Sequence, residues 1–303
     1  TAEYRAQGRG GKGVKAMATR EEDYVETVFT ASTHDSILFF TNLGKVYVRK
    51  GYRIPEAGRS ARGQNIVNII PTDPGEKVSA MIAGRGVTED NYLVFVTRNG
   101  TVKRTAQSAF KNIRSNGIRA LSLDEGDELI SVLQTTGEDK ILLATHDGMA
   151  ICFAETDARA MGRDAVGVRG IRLREGDYVV GAGIAAEGAA ILSITENGYG
   201  KRTDVGEYSV QNRGGMGLKN YNVTDKTGPV ADVVIVTGDE DLLVISDDGT
   251  IIRMDVGSIS LLSRSTQGVR VMRLTGDAKV ISIAPTDKED SAEADSPEAR
   301  EES

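Results

Sequence analysis

Apolar residues along the chain fall in short runs interrupted by glycine-containing turns, and no segment sustains a 3.6-residue period over three turns. Five stretches share one layout, an apolar run, a tight turn with glycine and an outgoing strand. They are Ile37–Val48 around Gly44, Tyr92–Arg104 around Gly100, Ile141–Ile151 around Gly148, Ala190–Arg202 around Gly198 and Leu242–Arg253 around Gly249. Four of the five turns carry Asn-Gly or Asp-Gly, with Leu43-Gly44 the exception. These dipeptides between apolar strands predict hairpins whose two turn residues both accept positive φ.

Between the hairpins lies a second recurring feature, a box with a basic residue, about three spacers, a glycine and then an apolar residue. The first is Gln7-Gly-Arg-Gly-Gly-Lys-Gly13; the others are Arg59–Gly63, Arg114–Gly117, Arg163–Gly167, Arg213–Gly217 and Arg264–Gly268. The closing glycines are 50, 54, 50, 50 and 51 residues apart. Periods of this size indicate an array of repeated units. Each box leads into a further β-rich stretch: Tyr24–Phe29, Val78–Ile82, Glu128–Leu133, Tyr178–Ile184, Val230–Val236 and Val280–Ile283. Six boxes and six following strands predict an all-β domain of six blades, about four strands each, arranged radially to protect their edges. Since only five hairpins are visible, the N-terminal segment, or a preceding part of a parent protein, is expected to complete one blade. The chain opens at Thr1 rather than Met, as an excised piece would.

Composition changes beyond Ala284. Residues 285–303 hold eight acidic and two basic side chains, and from Asp287 onward no β-branched or aromatic residue, so this acidic tail is expected to be disordered. Residues 1–284 form the expected folded domain. The net charge is −7, but outside the tail 36 acidic residues face 35 basic ones. A near-neutral body can still present one basic face, so a nucleic-acid partner is not excluded. The single cysteine, Cys152, reads as a buried core residue and precludes an intrachain disulfide. No apolar run approaches the ~18 residues of a membrane span, no signal peptide is visible, and a cytoplasmic protein is expected.

The catalytic inventory is poor. Gly8–Gly13 matches G-x-G-x-x-G literally, but the fingerprint requires a preceding strand and a following helix. Only seven residues precede it, and it lacks the Gly-Lys-Ser/Thr ending of a Walker loop. Two histidines, His34 and His146, and one cysteine show no zinc spacing. The acidic clusters lie in connections and read as solvated surface. No enzymatic activity, cofactor or metal is expected of this domain.

The basic residues recur in the boxes and on the outgoing hairpin strands. Those assigned to a basic rim are Lys15, Lys45, Arg49, Arg59, Arg62, Lys103, Arg104, Arg114, Arg163, Arg169, Lys201, Arg202, Arg213, Lys219, Arg253, Arg264 and Arg270. If every unit folds alike, the recurrence makes a positive belt, suited to nucleic-acid backbone rather than base edges. Bending roughly 40 base pairs of duplex through a half circle costs on the order of 10 kcal/mol, which many phosphate contacts with counterion release can offset.

The opening box closely resembles the Gln-Arg-Arg-Gly-Gly-Lys-Gly box of the family of C-terminal domains from the A subunit of bacterial DNA gyrase. Further likeness is carried by Ser122-Leu-Asp-Glu-Gly-Asp-Glu-Leu-Ile130, Gly167-Val-Arg-Gly-Ile-Arg172, Glu196-Asn-Gly-Tyr-Gly-Lys-Arg-Thr203 and Ser265-Thr-Gln-Gly-Val269, and covers residues 1–284. The resemblance implies a six-bladed β-pinwheel with strands swapped between neighbours. It also implies bending and positive wrapping of double-stranded DNA around the basic rim, which lets the holoenzyme introduce negative supercoils. The box residues carried over are Gln7, Arg9, Gly10, Gly11, Lys12 and Gly13. Gly8 departs from the pattern, where a second basic residue usually stands. The implied partners are the remainder of the gyrase A subunit and the gyrase B subunit in an A2B2 holoenzyme, with ATP and Mg used elsewhere in it. The isolated domain is expected to be monomeric. A topoisomerase IV-type domain and a protein-binding propeller are the alternatives.

Overall fold

The computed structural model describes residues 6–12, 14–15, 31–55, 64–84 and 91–288. Each expected hairpin forms: β2 (Ser36–Thr41) with β3 (Lys45–Lys50), β5 (Tyr92–Thr97) with β6 (Thr101–Ala106), β9 (Lys140–Thr145) with β10 (Met149–Ala154), β13 (Ala190–Thr195) with β14 (Tyr199–Asp204), and β17 (Asp241–Ser246) with β18 (Thr250–Asp255). Long inner strands follow the boxes: β4 (Val78–Gly84), β8 (Leu129–Thr135), β12 (Val179–Ile184), β16 (Val230–Val236) and β20 (Val280–Thr286). The boxes themselves end in two-residue strands, β1 (Val14–Lys15), β7 (Ile118–Arg119), β11 (Val168–Arg169), β15 (Leu218–Lys219) and β19 (Val269–Arg270).

Sheet assembly follows one rule. A hairpin pairs on its incoming side with the inner strand after the next box, and on its outgoing side with the box strand one unit further on. This gives the antiparallel orders β4-β2-β3-β7, β8-β5-β6-β11, β12-β9-β10-β15 and β16-β13-β14-β19. In the fifth sheet, β20-β17-β18-β1, the box strand comes from the N-terminus, with Val14 opposite Ile251. The N-terminal segment therefore completes a blade, and edge strands are exchanged between units. The expected blade count of six is corrected to five among the described residues. A sheet is built on a hairpin, and counting boxes overcounts sheets because the first box serves the last hairpin. The expected strand Tyr24–Phe29 and the box residues Arg59, Arg62 and Gly63 lie outside the described residues, as do Gly13 and residues 289–303. The folded part runs two residues past the expected limit, since Pro285 and Thr286 pair with Leu242 and Asp241.

The turn chemistry also differs from expectation. No residue other than glycine has positive φ among the described residues, so Asn99 and its counterparts are not in the mirror-image turn. Each loop has three residues: in the second hairpin, Gly100 N–H donates to Thr97 O at 3.0 Å and Gly100 itself sits at φ +83. This is a type I turn closed by a left-handed glycine, the other common short hairpin solution. Its carbonyl has a use. The O of Gly100 accepts from both Gly170 and Ile171 N–H at 2.7 and 3.3 Å, and Gly44, Gly148 and Gly198 do the same for the chain leaving their own box strands.

The core lies between sheets. Leu38, Phe40 and Val46 of the first sheet meet Leu93, Phe95 and Val132 of the second, with Phe40 and Phe95 edge to face at 5.7 Å. Comparable clusters join the second sheet to the third, the third to the fourth and the fourth to the fifth. Inner strands touch in the order β4, β8, β12, β16, β20, so the sheets form an arc. Every inner strand carries a bulge at its second residue: Ser79, Ile130, Val180, Ala231 and Ile281 are each skipped in the ladder. Bulges increase local twist, and the repetition gives each sheet the same bend where the blades crowd together.

Candidate nucleic-acid interface

The box strands alternate strictly. Ile118, Val168, Leu218 and Val269 are half-buried against their hairpins, while Arg119, Arg169, Lys219 and Arg270 are exposed. With a side-chain period of two, one inward apolar residue fixes its neighbour outward. The same position in the first box strand is Lys15. One cation thus recurs at the outer edge of four of the described sheets, set by the same ladder each time.

The box arginines link these edges. Arg163 Nη1 donates to the carbonyl of Arg119 at 3.3 Å, Arg213 Nη1 to that of Arg169 at 2.9 Å and Arg264 Nη1 to that of Lys219 at 3.0 Å. These three boxes each grip the box strand before them and together form a ribbon, with Arg213 Nε also donating to Asp157 O at 2.9 Å and Arg264 Nε buried. Arg114 is exposed on the same ribbon.

The N-terminal box folds as a tight loop against the fifth sheet. Gln7 N–H donates to Arg253 O and Gly10 N–H to Val271 O, both at 2.7 Å, and Arg9 Nη1 reaches Ser260 Oγ at 3.1 Å. Gly10 sits at φ +80, a conformation that disfavours any side chain, and a Cβ on Gly11 would collide with the Gln7 amide. These glycines shape the loop, and Arg9 and Lys12 are its exposed cations. Gly8 has open space where a side chain would go.

The hairpin cations are placed differently from expectation. Lys103, Lys201 and Arg253 are buried, at 0, 0 and 4% exposure, and are corrected from surface rim to interior. Lys201 Nζ donates to the carbonyls of Ser263 and Arg264 at 2.7 and 2.6 Å. Lys103 Nζ donates to those of Gly162, Arg163 and Ala120. In both cases the carbonyls five and four residues before a closing glycine are held, so the lysine pins the box loop from beneath. Burial brings both ammonium groups down to about 8. Arg253 pairs with Asp241 at 2.7 Å. Arg104, nearly buried, lies over the Tyr92 ring 3.6 Å from Glu155, and Arg202 Nε donates to Ile259 O at 2.8 Å. Arg49 binds the Ile69 and Val48 carbonyls, and Lys45 pairs with Asp73 at 2.5 Å.

Charge and box patterns do not single out Tyr199, whose hydroxyl accepts from Arg270 Nη2 at 2.7 Å, or Ser260. A signal for the tyrosine exists all the same: it follows a turn glycine directly, and that position faces the second residue of a box strand. His146, Asp147 and Asp177 lie close enough to share an ion. Their contacts are already with one another and with their neighbours, His146 Nδ1 standing 3.4 Å from Asp147 Oδ1. His146 stacks on Tyr178 at 4.4 Å and meets Glu196 at 3.2 Å, and Asp177 accepts the Asp147 and Tyr178 amides. They form a polar seam between the third and fourth sheets.

Radially arranged, hairpin-centred sheets with exchanged edge strands and a cationic outer ribbon define a β-propeller of the pinwheel kind. The chain belongs to the family described as "DNA gyrase C-terminal domain, beta-propeller", which matches residues 1–32, 35–84, 91–136, 139–186, 190–237 and 240–287. The first matched segment contains the box that completes the fifth sheet. The chain is 48% identical over 293 residues to the A subunit of DNA gyrase from Staphylococcus aureus strain MRSA252, covering 96% of this chain and 33% of that protein. The chain thus spans about a third of the length of such relatives. Among solved structures, a DNA gyrase A C-terminal domain superposes with a TM-score of 0.85 at 28% identity, covering 94% of each chain. The C-terminal domain of a DNA topoisomerase IV superposes with 0.76 at 26% identity, covering 90% of this chain and 85% of that one.

Proposed function

We propose that the ribbon of boxes binds double-stranded DNA through its phosphates and bends it around the arc with a positive crossing, as a non-catalytic module of a bacterial gyrase. The observation that carries this reading is the recurrence of an outward cation on the box strands, Arg119, Arg169, Lys219 and Arg270. Backbone contacts of this kind carry no sequence information, and no recognition helix is present among the described residues. Family membership and the relatives' name support gyrase over the topoisomerase IV alternative, as does the near-intact N-terminal box. In this reading the domain works with the rest of the A subunit and with the B subunit in an A2B2 enzyme on the bacterial nucleoid. That enzyme would use ATP and Mg outside this domain.

The test is topological. Relaxed closed circular DNA is incubated with the protein, treated with a type I topoisomerase that relaxes both signs, and deproteinised. Trapped positive supercoils are expected, and neutralising Arg9 and Lys12 together should abolish them while leaving salt-sensitive binding. Tight binding without trapped writhe would favour a topoisomerase IV-type clamp, and no binding at low salt a protein-binding propeller.

A further inference from the structure

Six large apolar side chains are exposed among the described residues: Leu43, Tyr52, Val67, Val210, Met216 and Leu261. Three of them fall in two successive box segments, on a ribbon otherwise marked by its cations. Val210 and Leu261 are 51 and 56% exposed, and each stands seven residues before a closing glycine, Gly217 or Gly268. Met216 directly precedes the first of these glycines.

Backbone pairing fixes both positions. Val210 bridges Cys152 and Leu261 bridges Arg202, with Gln211 N–H donating to Cys152 O and Leu262 N–H to Arg202 O, both at 2.8 Å. The same strand edges carry box-strand cations, Lys219 opposite Met149 and Arg270 opposite Tyr199. Cys152 lies three residues beyond Met149 on β10, and Arg202 three beyond Tyr199 on β14. Apolar residue and cation therefore stand about 10 Å apart along one edge. On the second and fifth sheets the same bridge is made by Ala160 and Ala6, both exposed. Before Gly117 the residue at that count is Phe110, which is buried against Phe40 and Phe95. The fold can cover an apolar side chain in this part of a box segment, and it leaves Val210 and Leu261 uncovered.

We propose that Val210 and Leu261 pack on the deoxyribose edges of duplex DNA lying along the ribbon, adding a contact that does not depend on charge. The inference rests on the DNA-binding reading above. Two features favour DNA over a protein partner. The apolar residues repeat at one position on successive sheets, as suits a polymer that follows the arc. Each also shares its edge with a cation, whereas the core of a protein interface is depleted of charge. Direction argues against insertion between bases. Wedges in the minor groove kink a duplex toward its major groove, away from the surface that carries them, while a wrapped duplex must curve toward the ribbon. Contact with the C–H surface of the sugars leaves that curvature intact.

The 303-residue protein is titrated with a duplex of about 40 base pairs by fluorescence anisotropy at several potassium chloride concentrations. The slope of log K against log salt counts neutralised phosphates, and the value extrapolated to 1 M salt holds the non-ionic share. Val210→Ser combined with Leu261→Ser should lower the extrapolated affinity about tenfold at an unchanged slope. Lys219→Ala should instead make the slope shallower by roughly 0.9. Ala160→Leu places a larger apolar side chain at the equivalent exposed position of another sheet and should tighten binding about threefold at the parent slope. Absence of binding by the parent overturns the DNA reading and this inference together. Parent-like affinity in both the serine pair and Ala160→Leu overturns the inference alone, as does a loss in the serine pair that comes with a shallower slope. It also fails if the serine pair keeps its DNA affinity but no longer associates with the rest of a gyrase A subunit, which assigns these residues to a protein interface.

Discussion

Lys201 and Lys219 are separated by eighteen positions in the sequence, carry the same charge and sit on neighbouring repeats of the same element types. Lys201, on an outgoing hairpin strand, is fully buried with its ammonium between two carbonyls. Lys219, at the end of a box strand, is exposed. The difference extends to the whole chain. Lys103, Arg104, Arg202 and Arg253 face box loops or buried partners, whereas Arg119, Arg169 and Arg270 face outward. One set of cations shapes the ribbon and the other lies on its surface. Charge recurrence alone does not tell a ligand-facing residue from one that holds the ligand-facing loop.

The largest effect that tests this contrast is on stability. Lys201→Met removes a donor and leaves the Ser263 and Arg264 carbonyls without it, at about 1–3 kcal/mol. Lys219→Ala, at the surface, should stay within about 0.5 kcal/mol. Urea unfolding of both variants measures the gap, and equal losses would erase the distinction. The reverse ordering is expected for DNA. Replacing Arg119, Arg169 and Lys219 together by alanine should make the slope of log K against log salt shallower by roughly 0.9 for each phosphate no longer neutralised. Folded Lys201→Met should retain the parent slope.

A smaller effect concerns pH. Asp232, partly buried at the seam between β16 and β20, accepts from the Ile283 and Val233 amides at 3.0 and 2.8 Å. Desolvation raises its carboxyl to about 7 against the pull of those hydrogen bonds. Because the folded value is raised above 3.8, its contribution to stability is fully present below that pH and is lost as pH rises through about 7. Denaturation midpoints from pH 4 to 8 should show this decline in the parent and a flatter profile in Asp232→Asn. The smallest expected effect is a gain. Gly8→Arg has room for its side chain and adds one cation beside Arg9, so DNA affinity should rise and the salt slope steepen by about 0.9, read from titrations at several salt concentrations.

Much of the fold is legible in the sequence. Alternation and turn glycines locate all five hairpins, and the inner strands appear where their β-branched runs predict, because both signals are local. The boxes mislead about the blade count, since a two-residue strand such as Val14-Lys15 does not reveal which hairpin it will join. The turn type is not legible either. Asn-Gly and Asp-Gly suit more than one short loop, and here Asn99 keeps negative φ while Gly100 alone turns.

For the site, sequence alone settles that cations recur with the boxes and that glycines close them. Tertiary structure decided which cations are available. A side-chain period of two assigns Lys201 and Arg202 to opposite faces of β14, but what covers each face comes from Ser260 to Arg264, some sixty residues away. It also decided that Phe110 is claimed by the core between the first two sheets. Local pattern fixes where a side chain can point, whereas burial and charge pairing depend on contacts between residues far apart in the chain.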